Sequence, residues 1–129
     1  MTGKSLDDLG RLQRAVMEVI WDLGQATVHQ VRLRLTHRKD LAYTTVLTAM
    51  QKLEKAGWLR HRNKGNRYVY YPTRTREQAS AKSLSNFIKH VFDGDAVLMF
   101  QHLIRQGDLT DDELRELRNL IDRKRRQRK

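Results

Sequence analysis

One segment of this chain is written as a β-hairpin, and every other patterned segment is written as helix. Leu59 to Arg62 and Arg67 to Tyr71 are short β-prone runs flanking Asn63-Lys64-Gly65-Asn66, a turn whose Gly and Asn tolerate positive φ. Pro72 ends the second run. The expected fold class is therefore mainly α with a small β-hairpin.

Three helices precede the hairpin. Leu12, Val16, Val19, Ile20 and Leu23 recur at helical spacing, and Gly24 supplies a stop. Thr27 and Gln30 stand as N-cap and N3 of a second helix with Val28, Val31 and Leu35 inward, followed by a break at His37 to Asp40. From Ala42 to Ala56 a third helix sets Val46, Met50 and Leu53 on one side and Thr45, Thr48, Lys52 and Lys55 on the other, and Gly57 closes it. Helix, helix, helix, hairpin is the order of a winged helix-turn-helix, whose third helix enters a major groove while the hairpin lies along the neighbouring backbone. Residues 1–72 are read as that domain.

Beyond Pro72 the pattern is wholly helical. Leu84, Phe87, Ile88, Val91 and Phe92 trace one stripe, broken near Asp93-Gly94-Asp95, and Val97, Phe100, Leu103 and Ile104 form another. Thr110 to Glu113 is a capping box that opens a last helix with Leu114, Leu117 and Ile121 inward, and Asp111 and Asp112 complement its positive end. The basic tail from Arg123 to Lys129 is expected to fray. Three short apolar helices over about fifty residues cannot close a good core alone. Residues 73–129 are therefore read as a helical dimerisation domain, with Phe87, Ile88, Val91, Phe92, Val97, Phe100, Leu103, Leu114, Leu117 and Ile121 buried against a second copy.

Charge assigns the two halves different tasks. Lys and Arg outnumber Asp and Glu by 26 to 15, a formal charge of +11 that suits a polyanion partner. The cations concentrate in residues 27–67, where Arg32, Arg34, Arg38, Lys39, Lys52, Lys55, Arg60, Arg62, Lys64 and Arg67 face only Asp40 and Glu54. Residues 73–122 are near neutrality and suit self-association. In the third helix Thr44, Thr45 and Thr48 offer hydroxyls and methyls to base edges, with Lys52 and Lys55 at backbone phosphates. In the hairpin Arg60, Arg62, Lys64 and Arg67 bind phosphates through counterion release, contacts that position without specifying. Double-stranded DNA is the expected partner.

Several features take a plainer reading. Trp21 and Trp58 adjoin apolar stripes and read as core or hinge packing. Tyr68, Tyr70 and Tyr71 interleave with arginine, which suits base stacking or packing back onto the first helix, the commoner fate of hairpin aromatics. With no cysteine, disulfides, thiolate metal sites and cysteine nucleophiles are excluded. The five histidines are not spaced as ligands, so no metal and no cofactor are expected. No apolar run resembles a signal peptide or membrane span, so a cytoplasmic protein with no membrane contact is expected.

Ala15-Val16-Met17-Glu18-Val19-Ile20-Trp21, Tyr43-Thr44-Thr45-Val46 and Lys55-Ala56-Gly57, together with Asn86-Phe87-Ile88, Asp108-Leu109-Thr110 and Glu113-Leu114-Arg115-Glu116-Leu117, carry a resemblance to a known family. From about Leu9 to Lys124 the chain resembles the penicillinase-repressor (BlaI/MecI/CopY) family of winged-helix transcriptional regulators. The resemblance implies a homodimeric repressor on a palindromic operator, controlling genes such as those for β-lactam resistance. It implies DNA contacts at Thr44, Thr45, Thr48 and Lys52, with Arg67 in the wing. Where well-known members open this helix with Ser-Pro-Lys-Thr, this chain has Ala42-Tyr43-Thr44-Thr45, and Leu47 replaces a basic or amide residue. The resemblance also implies inactivation by a regulatory protease at an Asn-Phe bond; counting back from Asp108 places His102-Leu103 there, and no Asn-Phe pair occupies that region. Copper-responsive members end in a cysteine cluster that this chain lacks.

Three rival readings compete. A non-specific architectural DNA binder would share the charge but show no preference for a palindrome. An enzyme acting on nucleic acid would need clustered carboxylates or metal ligands, and the acidic residues here are scattered or serve helix caps, so no catalytic residue is named. A winged helix facing another protein would not need the cation density of Arg60 to Arg67.

Overall fold

The computed structural model describes residues 4–35 and 40–128. Six helices and one hairpin run in the order α1 (Arg11–Leu23), α2 (Val28–Leu35), α3 (Tyr43–Lys55), β1 (Leu59–Lys64), β2 (Arg67–Pro72), α4 (Arg76–Val91), α5 (Ala96–Gln106) and α6 (Asp111–Gln127). A short 3₁₀ turn, Leu6–Asp8, precedes them; its Ser5 cap and buried Leu6 carry too short a pattern to read from periodicity. The expected break at His37 to Asp40 falls almost wholly on residues outside those described.

Local chemistry accounts for the boundaries. Gly24 ends α1 at φ +84, donating its N–H to the Ile20 carbonyl at 2.7 Å. At the start of α2 the reciprocal cap forms: the Gln30 N–H donates to Thr27 Oγ1 at 3.1 Å and the Thr27 N–H to Gln30 Oε1 at 2.9 Å. The hairpin is tighter than its sequence suggests. Its strands extend to Lys64 and Arg67, which pair directly, leaving only Gly65 and Asn66 as the loop. Only Gly65 of these two has positive φ, the pattern of a type II′ turn whose twist matches that of the strands.

The core of the first compact unit, residues 1–86, gathers one face from each early helix. Val16, Met17, Ile20, Val31, Val46, Met50, Leu53 and Leu59 are all but fully buried. Trp58 joins this core, and its ring meets that of Trp21 edge-on at 6.4 Å, which bears out the packing role for both. Tyr70 is buried in the same cluster, and its backbone exchanges hydrogen bonds with Ala26 at 2.8 and 2.9 Å. That bridge ties β2 to the α1–α2 connection.

The first unit extends past Pro72 because the start of α4 is bolted to α1. Trp21 Nε1 donates to the Arg74 carbonyl at 2.8 Å, and Arg76 pairs with Glu18 at 3.0 Å and Asp22 at 2.8 Å. Ala79 is fully buried in the core. The second compact unit, residues 87–129, holds the end of α4 with α5 and α6. Asp93 and Gly94 turn the chain out of α4 at positive φ, and Asp95 caps α5 by accepting from the Leu98 N–H at 3.0 Å. Thr110 and Glu113 form the expected capping box at 3.1 and 3.0 Å. One expectation fails here: the basic tail does not fray from Arg123, since α6 continues to Gln127. Lys and Arg are good helix formers, and Lys124, Arg125 and Arg126 sit in the last turn, where the helix dipole favours cations.

Candidate nucleic-acid interface

The rotation of α3 is fixed by its buried residues. Val46, Ala49, Met50 and Leu53 face the core, so at about 100° per residue the opposite side carries Thr44, Thr48, Gln51 and Lys55. All four are exposed and form a continuous outward stripe. Thr45 and Lys52 flank it on one side, where they border an open hollow of about 460 Å³ shared with Leu12 and Gln13 of α1. Tyr43, Leu47 and Glu54 flank it on the hairpin side. The charge-and-size reading of α3 thus located five of its exposed residues and omitted Gln51. The signal was available: Gln51 follows Thr44 by seven residues and precedes Lys55 by four.

Leu47 stands outside that stripe. It is half-buried and lines, with Tyr43, His29, Arg67, Tyr68 and Tyr70, a cleft of about 350 Å³ between the starts of α2 and α3 and the hairpin.

In the hairpin, register sorts the side chains. Leu59 pairs with Pro72, His61 with Tyr70 and Asn63 with Tyr68, and Leu59 and Tyr70 on this face are buried, as is Val69 on the other, opposite Arg62. Arg60, Arg62 and Lys64 alternate onto the other face, joined by Arg67 opposite Lys64. The four cations named from sequence therefore share one face and are all exposed. Arg62 stacks its guanidinium over the Tyr71 ring of the neighbouring strand at 4.4 Å.

The tyrosines divide. Tyr70 packs as expected, and burial, reinforced by the Glu54 carboxylate, pushes its phenol pKa up. Tyr68 is 54% exposed and Tyr43 is 46% exposed, so neither is consumed by the core. Between Tyr68 and Tyr70 lies His61, with ring centroids 4.6 and 5.5 Å away, and its Nδ1 sits 2.8 Å from the Glu54 carboxylate.

Two of the basic residues have partners within the fold. Arg32 Nε donates to the Leu41 carbonyl at 2.9 Å, which fastens the entry to α3, and Arg34 pairs with Asp22 at 3.8 Å. Arg38 and Lys39 lie outside the described residues. Among the described cations of residues 27–67, Lys52, Lys55, Arg60, Arg62, Lys64 and Arg67 are exposed and pair with no carboxylate.

In the second unit, the apolar residues singled out from sequence stay uncovered. Phe87, Val91, Val97, Phe100, Leu103, Leu114 and Ile121 are exposed, and Ile88, Phe92 and Leu117 are half-buried. Leu98, Ile104 and Leu120 are exposed too, and none of them belongs to the set expected against a second copy. Phe92 sits between Phe87 and His102, each ring 5.7 Å away. His102 and Leu103 lie within α5, in regular helical backbone. Among the described residues no cluster of His, Asp or Glu could hold a metal ion, and no helix is long and apolar enough to cross a membrane.

Residues 9–123 match the family described as Penicillinase repressor. The chain is 27% identical to the methicillin resistance regulatory protein MecI of Staphylococcus aureus strain N315 over 109 residues, covering 84% of this chain and 89% of that protein. It is 39% identical to the transcriptional regulator BlaI of Mycobacterium tuberculosis H37Rv over 77 residues, 59% of this chain and 56% of that one. The solution structure of the DNA-binding domain of the repressor BlaI superposes with a TM-score of 0.50 at 26% identity, covering 57% of this chain and 90% of that domain. The winged-helix architecture is thereby shared with that domain.

Proposed function

The chain belongs to the penicillinase-repressor family, and from that membership we propose that it is a transcriptional repressor that binds its operator in a sequence-specific manner, as a homodimer on a palindrome. The observation that carries this reading is the outward face of α3. Thr44, Thr45 and Thr48 are exposed on a helix whose rotation the core fixes, so the face is preorganised to enter a major groove. Lys52 and Lys55 meet the backbone phosphates at the end of the helix. Arg60, Arg62, Lys64 and Arg67, on one face of the hairpin, meet those of the adjoining backbone. Residues 1–72 supply DNA contact and residues 73–129 supply the dimer.

The dimer reading is supported by the second unit, where none of the described residues is buried. An apolar set that includes Phe87, Val97, Phe100, Leu103 and Ile121 needs a cover, and a second copy of the same surface gives a two-fold pair. The pair sets the spacing of two recognition helices and hence of two half-sites. Release follows when the C-terminal half is cut or displaced. A regulatory protease acting at His102–Leu103 must first unwind α5, because proteases take extended chain. The site of action is the cytoplasm, where the operator is.

Recovery of bound fragments from genomic DNA tests the repressor reading. It predicts enrichment of one inverted repeat that persists under excess bulk DNA at fixed salt. Fragments without a shared motif, displaced in proportion to competitor, would replace it with non-specific architectural binding.

A further inference from the structure

We propose that Gln51 is a specificity-determining residue that reads an adenine in each half-site; this rests on the repressor reading above. Gln51 lies in the outward stripe of α3 between Thr48 and Lys55, and buried Met50 and Leu53 on either side of it fix the direction in which it projects. It is exposed, and among the described residues no hydrogen bond or ring contact engages its amide. A long side chain with an unused donor and acceptor is therefore free to meet a ligand.

The chemistry separates Gln51 from its neighbours in the stripe. A threonine hydroxyl both donates and accepts and rotates to suit any base, and lysine reaches as a point charge. Gln51 alone in that stripe presents a donor and an acceptor in one plane. Adenine offers the complementary acceptor N7 and donor N6 side by side in the major groove, so the pairing is bidentate. A base with the wrong pattern leaves one of the two groups unpaired, and discrimination arises from that loss.

Its place along the helix sets where this reading acts. Seven residues at a rise of about 1.5 Å put Gln51 about 10 Å beyond Thr44, on the order of three base-pair steps. The preference therefore belongs about three base pairs from the position Thr44 contacts, once in each half of the palindrome.

The test selects bound duplexes from a pool with randomised half-sites, using the full chain as wild type, Gln51→Ala and Gln51→Glu. Wild type is expected to prefer adenine at one position per half-site by on the order of tenfold. Gln51→Ala is expected to flatten that position alone. Gln51→Glu, which only accepts, is expected to move the preference toward cytosine, whose N4 donates. A selected operator with the adenine preference intact in Gln51→Ala would overturn the assignment and leave the repressor reading standing. A wild type that selects no sequence would remove the repressor reading itself.

Discussion

His61 on β1 places its Nδ1 2.8 Å from both carboxylate oxygens of Glu54 on α3, so the hairpin and α3 are joined by one side-chain contact that neither element could form alone. The two side chains are 35% and 31% exposed, which limits what the pair contributes to folding. Surface pairs of this kind contribute about 0.2–1 kcal/mol. The contact does tie β1, which carries Arg60, Arg62 and Lys64, to α3. In a double-mutant cycle of Glu54→Ala and His61→Ala, the coupling in unfolding free energy is expected to stay below about 1 kcal/mol. Either single variant is expected to weaken operator binding by more than its stability loss accounts for. Equal, small effects on both would make the pair an ornament of the surface.

Lys52 borders the threonine face and has no ion-pair partner among the described residues. Lys52→Ala is expected to weaken DNA binding for all sequences alike and to reduce the slope of log K against log salt by about one, as the loss of one phosphate contact requires. A salt titration by fluorescence anisotropy checks this, and an unchanged slope would take Lys52 off the contact surface.

Leu53 is fully buried behind the outward stripe of α3. Leu53→Ala is expected to cost about 2–5 kcal/mol of stability through lost burial and the cavity left behind. Denaturant unfolding followed by tryptophan fluorescence would report it, since Trp21 and Trp58 lie in the same unit. A loss below about 1 kcal/mol would mean that α3 can repack.

The N–H of Thr110 donates to the Glu113 carboxylate, and this contact, with help from the Thr110 hydroxyl, holds the Glu113 carboxyl below the usual carboxylate range. A lowered folded pKa means that the cap contributes fully above the unfolded value of about 4.3 and is lost as pH falls through the folded one. Helicity of α6 is therefore expected to decline in the acid range. Glu113→Gln retains an acceptor that does not titrate and should remove this part of the decline in circular dichroism. A pH profile identical in the two proteins would contradict the assignment.

Much of this fold was legible in the chain because the deciding signals are local. The Thr27–Gln30 and Thr110–Glu113 caps and the stops at Gly24 and Gly57 each declare themselves within a few residues. Contacts between distant segments were not legible. Nothing in the sequence near Arg76 says that Glu18 and Asp22 lie beside it, so the first compact unit reaches beyond Pro72 into α4. Nothing in the sequence near Arg32 and Arg34 names their partners, the Leu41 carbonyl and Asp22. On α3, grouping residues by charge and size found the threonines and lysines. It missed Gln51 because that residue is marked only by its angle around the helix.

Operator recognition as proposed requires two copies of the chain to present their α3 faces to one duplex. Sedimentation equilibrium of the full chain with a duplex carrying the recovered inverted repeat measures this. Two chains per duplex are expected, together with a loss of affinity when either half-site is scrambled. One chain per duplex, or equal affinity for intact and scrambled repeats, would contradict it.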